Sequence, residues 1–222
     1  MRTIRVTGKG QIKVRPDQTK ITLSLEGTCP DYAEALHRSA RDTEQLKDLL
    51  SGFGFEPAEL KTLSFNVDTE YEGYSEEGVY KQRFVGYQYQ HRMKVEFPSD
   101  NDRLGKVLYA LANSPVKPEF RLSYTVSDPE AAKNELLGRA VTDAKEKALV
   151  LTQAAGVALL GIQSMDYSWG ELEFEVQPMN RMLLADAGPA ASRKANAASY
   201  DLDLEPDDVA VSDTVTVVWQ IG

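Results

Sequence analysis

Alternation near the N-terminus constrains this chain more than any other feature. Apolar residues stand at every second position through Ile4 and Val6, then Ile12 and Val14, then Ile21, Leu23 and Leu25. A period of two places them on one face of an extended chain, so these runs read as half-buried strands. Gly8-Lys9-Gly10 separates the first two runs, and Pro16-Asp17 marks a turn before the third.

Glycines after a strand invite a phosphate-binding reading. A dinucleotide fingerprint needs GxGxxG leading into a helix whose N-terminus faces the pyrophosphate. Here Lys13 stands where the third glycine belongs, and Gln11-Ile12-Lys13-Val14 continues the alternation, so no helix follows. No stretch matches GxxxxGK[ST], and Gly105-Lys106 runs into Val107 inside a helical pattern. The structural reading of Gly8 and Gly10 is a bend or bulge between strand segments, where glycine adopts backbone conformations other residues avoid.

The rest of the chain alternates between helical and extended patterns. Pro30 opens a helix over about 31–51, with Leu36, Ser39, Thr43, Leu46 and Leu50 on one stripe and Gly52 and Gly54 ending it. Extended runs over about 60–72 and 80–97 flank a polar turn at 74–78 and suggest an antiparallel hairpin. A second helix spans about 101–113, capped by Ser99 or Asp100, with Leu104, Val107, Leu108 and Leu111 buried. A strand follows through Phe120, Leu122, Tyr124 and Val126. A long helix then runs from Asp128-Pro129 to about Ala155, its stripe Lys133, Leu137, Val141, Ala144, Ala148, Leu151 and Ala155, ended by Gly156. Strands are predicted over about 162–175 and 209–221. The expected class is α+β, with helices packed on antiparallel sheets. A weak echo between the two halves fits either a duplicated β-α-β-β unit or the ordinary way a helix ends before a strand. The small, polar stretch Asp186–Ser199 reads as a mobile loop.

A chain of 222 residues makes one domain, or two sub-domains over about 1–98 and 99–222, with a core that needs no staples. The net charge of −9 repels phosphate backbones, so nucleic acid is not an expected partner. Cys29 is the single cysteine, which excludes a disulfide within the chain. It reads as a small residue at a strand end, with a reactive thiol near a helix N-terminus as the lesser alternative. No apolar stretch follows the first residues and no run reaches 18 apolar residues, so neither a leader nor a transmembrane segment is expected. The location expected of the chain as it stands is the cytoplasm, or the periplasm or envelope had a leader been removed.

No catalytic, cofactor-binding or metal-ligating set emerges. His37 and His91 lack clustered partners and read as surface or boundary residues. The acidic run Asp201–Asp208 lacks the glycine and closing glutamate of an EF-hand and reads as an edge strand with a solvated acidic face. Tyr71, Tyr74, Tyr80, Phe84, Tyr87 and Tyr89 concentrate in the hairpin. Aromatics on a strand face form subunit contacts or stack ligands, and a homo-oligomer contact is the preferred reading, ahead of plain sheet packing.

Three blocks together resemble the SIMPL-domain family of bacterial and animal proteins of unknown function. The first is Val6, Gly8, Gly10, Ile12, Val14, Pro16 and Asp17, with Thr19 where the family usually has alanine. The second is Ala140–Ala148 followed by Ala154-Ala155-Gly156-Val157 and Gly161. The third is Glu205-Pro206, Val211 and Thr214–Trp219. The resemblance implies a mixed α+β fold, relatives that are periplasmic or outer-membrane antigens, assembly into large oligomers in some members, and proposed links to oxidative stress. It implies no catalytic residues. The motif positions Gly8, Gly10, Pro16, Asp17 and Gly156 are expected to be structural. Together these readings describe a self-assembling or scaffold protein without an active site. The alternatives are a small-ligand binder built on the tyrosine hairpin, with 186–199 as its lid, or an enzyme of unrecognised type.

Overall fold

The computed structural model describes residues 2–76, 78–167, 172, 174–177 and 204–222. In chain order the elements are β1 (Arg2–Val14), β2 (Gln18–Cys29), α1 (Tyr32–Ser51), β3 (Lys61–Glu76), β4 (Val79–Pro98), α2 (Asn101–Ala112), β5 (Glu119–Thr125), α3 (Pro129–Ala154), β6 (Leu159–Asp166), β7 (Glu175–Val176) and β8 (Val209–Ile221). This is an α+β protein with antiparallel sheets. It divides into two compact units. The first holds Met1–Asp17, Tyr124–Val176 and Pro206–Gly222, and the second holds Gln18–Ser123 and Gln177–Glu205.

In the first unit the strand order is β1-β8-β6, all antiparallel. The β1–β8 register runs unbroken from Arg2↔Ile221 to Val14↔Val209. The bulge expected at Gly8 and Gly10 is therefore not there. The glycines serve close packing instead. A Cβ on Gly8 would collide with the Ala140 carbonyl and the Ala144 amide of α3, and one on Gly10 with the Leu136 carbonyl. The buried face of α3 is accordingly small: Ala132, Leu136, Ala140, Ala144, Ala148 and Thr152. The expected stripe is rotated by about one residue, since Leu151 is 51% exposed. Bringing the helix backbone down onto two glycines favours alanine over leucine at the contact.

Asp17 secures the turn after β1. Its N–H donates to the Thr125 carbonyl (3.1 Å), and its carboxylate accepts from the Ser127 N–H (2.7 Å) and Oγ–H (2.6 Å). Ser127 immediately precedes the α3 cap, where Asp128 Oδ1 accepts from Ala131 N–H at 2.9 Å. Beyond the helix, Gly156 has a φ of +70°, the left-handed conformation that ends many helices. The strand expected over 162–175 is shorter and earlier, at β6, with a separate β7 pairing Val176 with Tyr124.

The second unit lays β4 between β3 and β2, with β5 beyond β2. Ile21, Leu23 and Leu25 of β2 and Met93, Val95 and Phe97 of β4 pack with Leu46 and Leu50 of α1 and Leu104, Val107 and Leu111 of α2. The buried α1 stripe is the expected one except that Ala35 replaces Leu36, which is exposed. Asp100 caps α2, accepting from Arg103 N–H at 3.1 Å. Residues 204–208 are irregular rather than an edge strand. The stretch 186–199 lies outside the described residues.

Candidate functional site

The hairpin is longer than its sequence suggests. β3 runs to Glu76 and β4 starts at Val79, so most of the polar turn is strand. The β2–β4 pairing stops at Cys29↔Tyr87. Beyond it, residues 79–86 of β4 pair with β3 alone, as a two-stranded ribbon. A shift of register between Glu70↔Gly86 and Tyr71↔Phe84 makes Val85 an extra residue. That bulge turns Phe84 to the same side as Tyr87. Gly86 is required there, because a Cβ would strike the Cys29 carbonyl.

The ribbon has two unlike faces. One carries Tyr71, Tyr80 and Phe84. Phe84 lies edge-on to Tyr71 (5.8 Å between centroids) and to Tyr87 (5.4 Å), and Tyr87 in turn to Tyr32 (5.6 Å). Tyr80 folds across Gly73, whose missing side chain makes room for its ring. These rings remain open to solvent, at 72% for Tyr80, 53% for Tyr71 and 48% for Phe84. The opposite face carries ion pairs: Arg83 Nε donates to Glu72 (3.0 Å) and Lys81 to Glu76 (2.6 Å), with Tyr74 between them. Of the six aromatics grouped from sequence, the structure therefore brings together Tyr71, Tyr80, Phe84 and Tyr87. Tyr74 points the other way, and Tyr89 is buried at 1% exposure.

Tyr89 belongs to a polar cluster under α1. Its hydroxyl donates to Asp42 Oδ2 at 2.9 Å. Burial, reinforced by that bond, pushes the phenol up to about 12, so it stays a donor at neutral pH. Arg38 and Arg41 flank Asp42 at 3.8 and 3.5 Å, and a hydrogen bond with the Cys29 side chain raises the Arg38 guanidinium further. Cys29 itself is buried at the end of β2. A cleft of about 190 Å³ adjoins this cluster, lined also by Ser24, Glu26, Lys117 and Glu119.

His37 is exposed, whereas His91 sits in a cage of hydroxyls. Thr43 Oγ1 donates to the Ser39 carbonyl (2.7 Å), which leaves its lone pairs for His91 Nδ1 (3.1 Å). Nδ1 therefore carries the proton, and Nε2 accepts from Thr62 Oγ1 at 2.9 Å. Burial first, and Lys47 second, hold the imidazole below its ordinary range. The signal for this cage was legible: Ser39 and Thr43 occupy the buried stripe of α1, and buried hydroxyls need partners. A neutral histidine held between three hydroxyls, with no carboxylate behind it, orients α1 on the sheet. Among the described residues no three histidine, cysteine, aspartate or glutamate side chains gather as metal ligands would.

The cage makes stability depend on pH. The unfolded imidazole titrates near 6.5. Below that value the unfolded chain takes up a proton that the folded chain resists. Stability is full above it and falls as pH drops towards the lower folded value. The melting temperature should fall more between about pH 7.5 and 5.5 for the parent than for His91→Gln. Equal slopes in paired thermal scans would show that His91 contributes nothing.

These features define an α+β protein of two units, one of which carries a two-stranded ribbon with exposed aromatic rings. The profile of the SIMPL family, described as a protein of unknown function (DUF541), matches residues 4–219, and the chain belongs to this family. It is similar to an uncharacterized protein, YggE, of Edwardsiella ictaluri, 23% identical over 216 residues that cover 97% of this chain and 85% of the relative. It is also similar to the 26 kDa periplasmic immunogenic proteins of Brucella melitensis and Brucella abortus. Each is 27% identical over 157 residues, covering 70% of this chain and 62% of the relative. No described helix is long and apolar enough to cross a membrane.

Proposed function

We propose that the protein is a non-enzymatic, self-assembling scaffold whose subunit contact is the aromatic face of the β3–β4 ribbon. The observation that carries this reading is the exposure of Tyr71, Tyr80 and Phe84 together on one side of a two-stranded segment. An isolated pair of strands is marginal in water. Clustered exposed aromatics are the usual composition of a subunit interface rather than of free surface. A second copy laid against that face shields the rings and supports the ribbon. A periplasmic location is part of the proposal, supported by the periplasmic naming of the Brucella relatives, and cell fractionation tests it directly. Sedimentation at tens of micromolar tests the assembly: a discrete oligomer is expected, and a monomer throughout that range rejects the reading.

A further inference from the structure

We infer that the outer face of the β1–β8 pair is a docking surface for a linear acidic polysaccharide. The opposite face of this sheet is occupied by α3. Outward from β1 point Arg5, Thr7, Lys9, Gln11 and Lys13, all exposed. Beside them on β8 stand Ala210, Ser212, Thr214, Thr216 and Val218. The chain has 34 acidic residues and a net charge of −9, yet no acid occurs before Asp17. The single acid of β8, Asp213, faces the other way, where it accepts from the Tyr167 hydroxyl at 2.9 Å. Among the described residues, Arg5, Lys9 and Lys13 form no ion pair. The acids nearest β1 are already engaged. Asp143 accepts from the Lys9 backbone N–H and from Lys147, both at 2.7 Å, at the strand's edge. Glu135 takes Arg139 at 2.6 Å. Among the described strand residues, the acid on the outer face is Asp166 of β6, across Thr216 from Thr7, roughly 10 Å from β1 at ordinary strand spacing.

Three cations that, among the described residues, form no ion pair share one face of a strongly acidic protein, a surface that suits an anionic partner, and the spacing selects its kind. Arg5, Lys9 and Lys13 recur every fourth residue, which is about 13 Å along an extended strand. Duplex DNA carries one charge per roughly 1.7 Å, far denser than this row. Among the described residues of β1 and β8, the outer face carries no aromatic ring on which bases could stack. Between the cations lie hydroxyls and an amide, Thr7, Gln11, Ser212, Thr214 and Thr216, which exchange hydrogen bonds readily with sugar hydroxyls. Thr7 and Thr216 already bond to one another at 2.9 Å. A partner with sparse carboxylates on a hydroxylated, extended backbone matches both features. This inference is independent of the ribbon contact, which lies in the other unit.

The test is anisotropy of fluorescently labelled polygalacturonate with the full chain. Binding should fall roughly twenty- to fortyfold between about 50 and 200 mM salt, as three released counterions require. It should fall by a similar factor in an Arg5→Gln, Lys9→Gln, Lys13→Gln variant that melts as the parent does. Should that variant melt early, the single Lys9→Glu serves instead, with the same direction expected. No binding by the parent, variants that bind as well as the parent, or tighter binding of duplex DNA than of polygalacturonate would each overturn the inference.

Discussion

Gly10→Val lowers the melting temperature by roughly 6–12 °C. The added Cβ would fall on the Leu136 carbonyl of α3, a backbone atom that no side-chain rotation moves aside. The 26-residue helix must lift from the sheet, opening the cluster of Ile12, Val126, Val209 and Val211. Overpacking of this sort costs about 3 kcal/mol, and each kcal/mol is worth about 2–4 °C in a chain of this size. Gly8→Val should behave alike, against Ala140 and Ala144. Gly138→Ala provides the contrast. It lies on the exposed side of α3 with nothing within 4 Å of its missing Cβ, so alanine should stabilise by about 0.5–1 kcal/mol. Differential scanning calorimetry of the three variants separates close approach from mere loss of glycine. An unchanged melting temperature for Gly10→Val would refute the packing argument.

A variant with Tyr71, Tyr80 and Phe84 all replaced by serine should remain monomeric where the parent assembles. Rings exposed to this degree offer roughly 100 Å² each to a partner, or about 7 kcal/mol of gross burial per subunit at 25 cal/mol/Å². Ordering and docking costs consume much of that. A loss of at least about a hundredfold in association is therefore expected. The same rings contribute little to the subunit's own core, so its melting temperature at monomeric dilution should move by only a few degrees. Sedimentation velocity beside thermal denaturation reads both quantities. A variant that keeps the parent's mass would place the subunit contact elsewhere.

Local patterns in the sequence located the elements well, because each depends on neighbouring residues. The helices at 32–51, 101–112 and 129–154 and the caps at Asp100 and Asp128 follow from spacing and side-chain chemistry. What spacing missed depends on residues far apart. Gly8 and Gly10 are explained by a helix more than 120 residues downstream, so a local rule supplied a bulge where the pairing is regular. The aromatic face was obscured by the extra residue at Val85, which changes the side on which Phe84 emerges. Tyr89 lies inside the stretch of β4 that β2 covers and has Asp42 to take its hydroxyl, neither of which its spacing announces. Ser39 and Thr43 mark buried hydroxyls on α1, but their partner His91 emerges only once β3 and β4 are placed beside that helix.

The pairing of β1 with β8 also sets a timetable for synthesis. Of the described strands, the earliest in chain order has the latest as its partner. At 5–20 residues per second, roughly 200 intervening residues keep it waiting about 10–40 s. Most of the second unit is continuous, from Gln18 to Ser123, and is free to fold in that interval. The first unit closes only once β8 has emerged. Chains cut short of β8 would thus carry an unpaired β1 edge, and the arrival of β8 is the event that closes it.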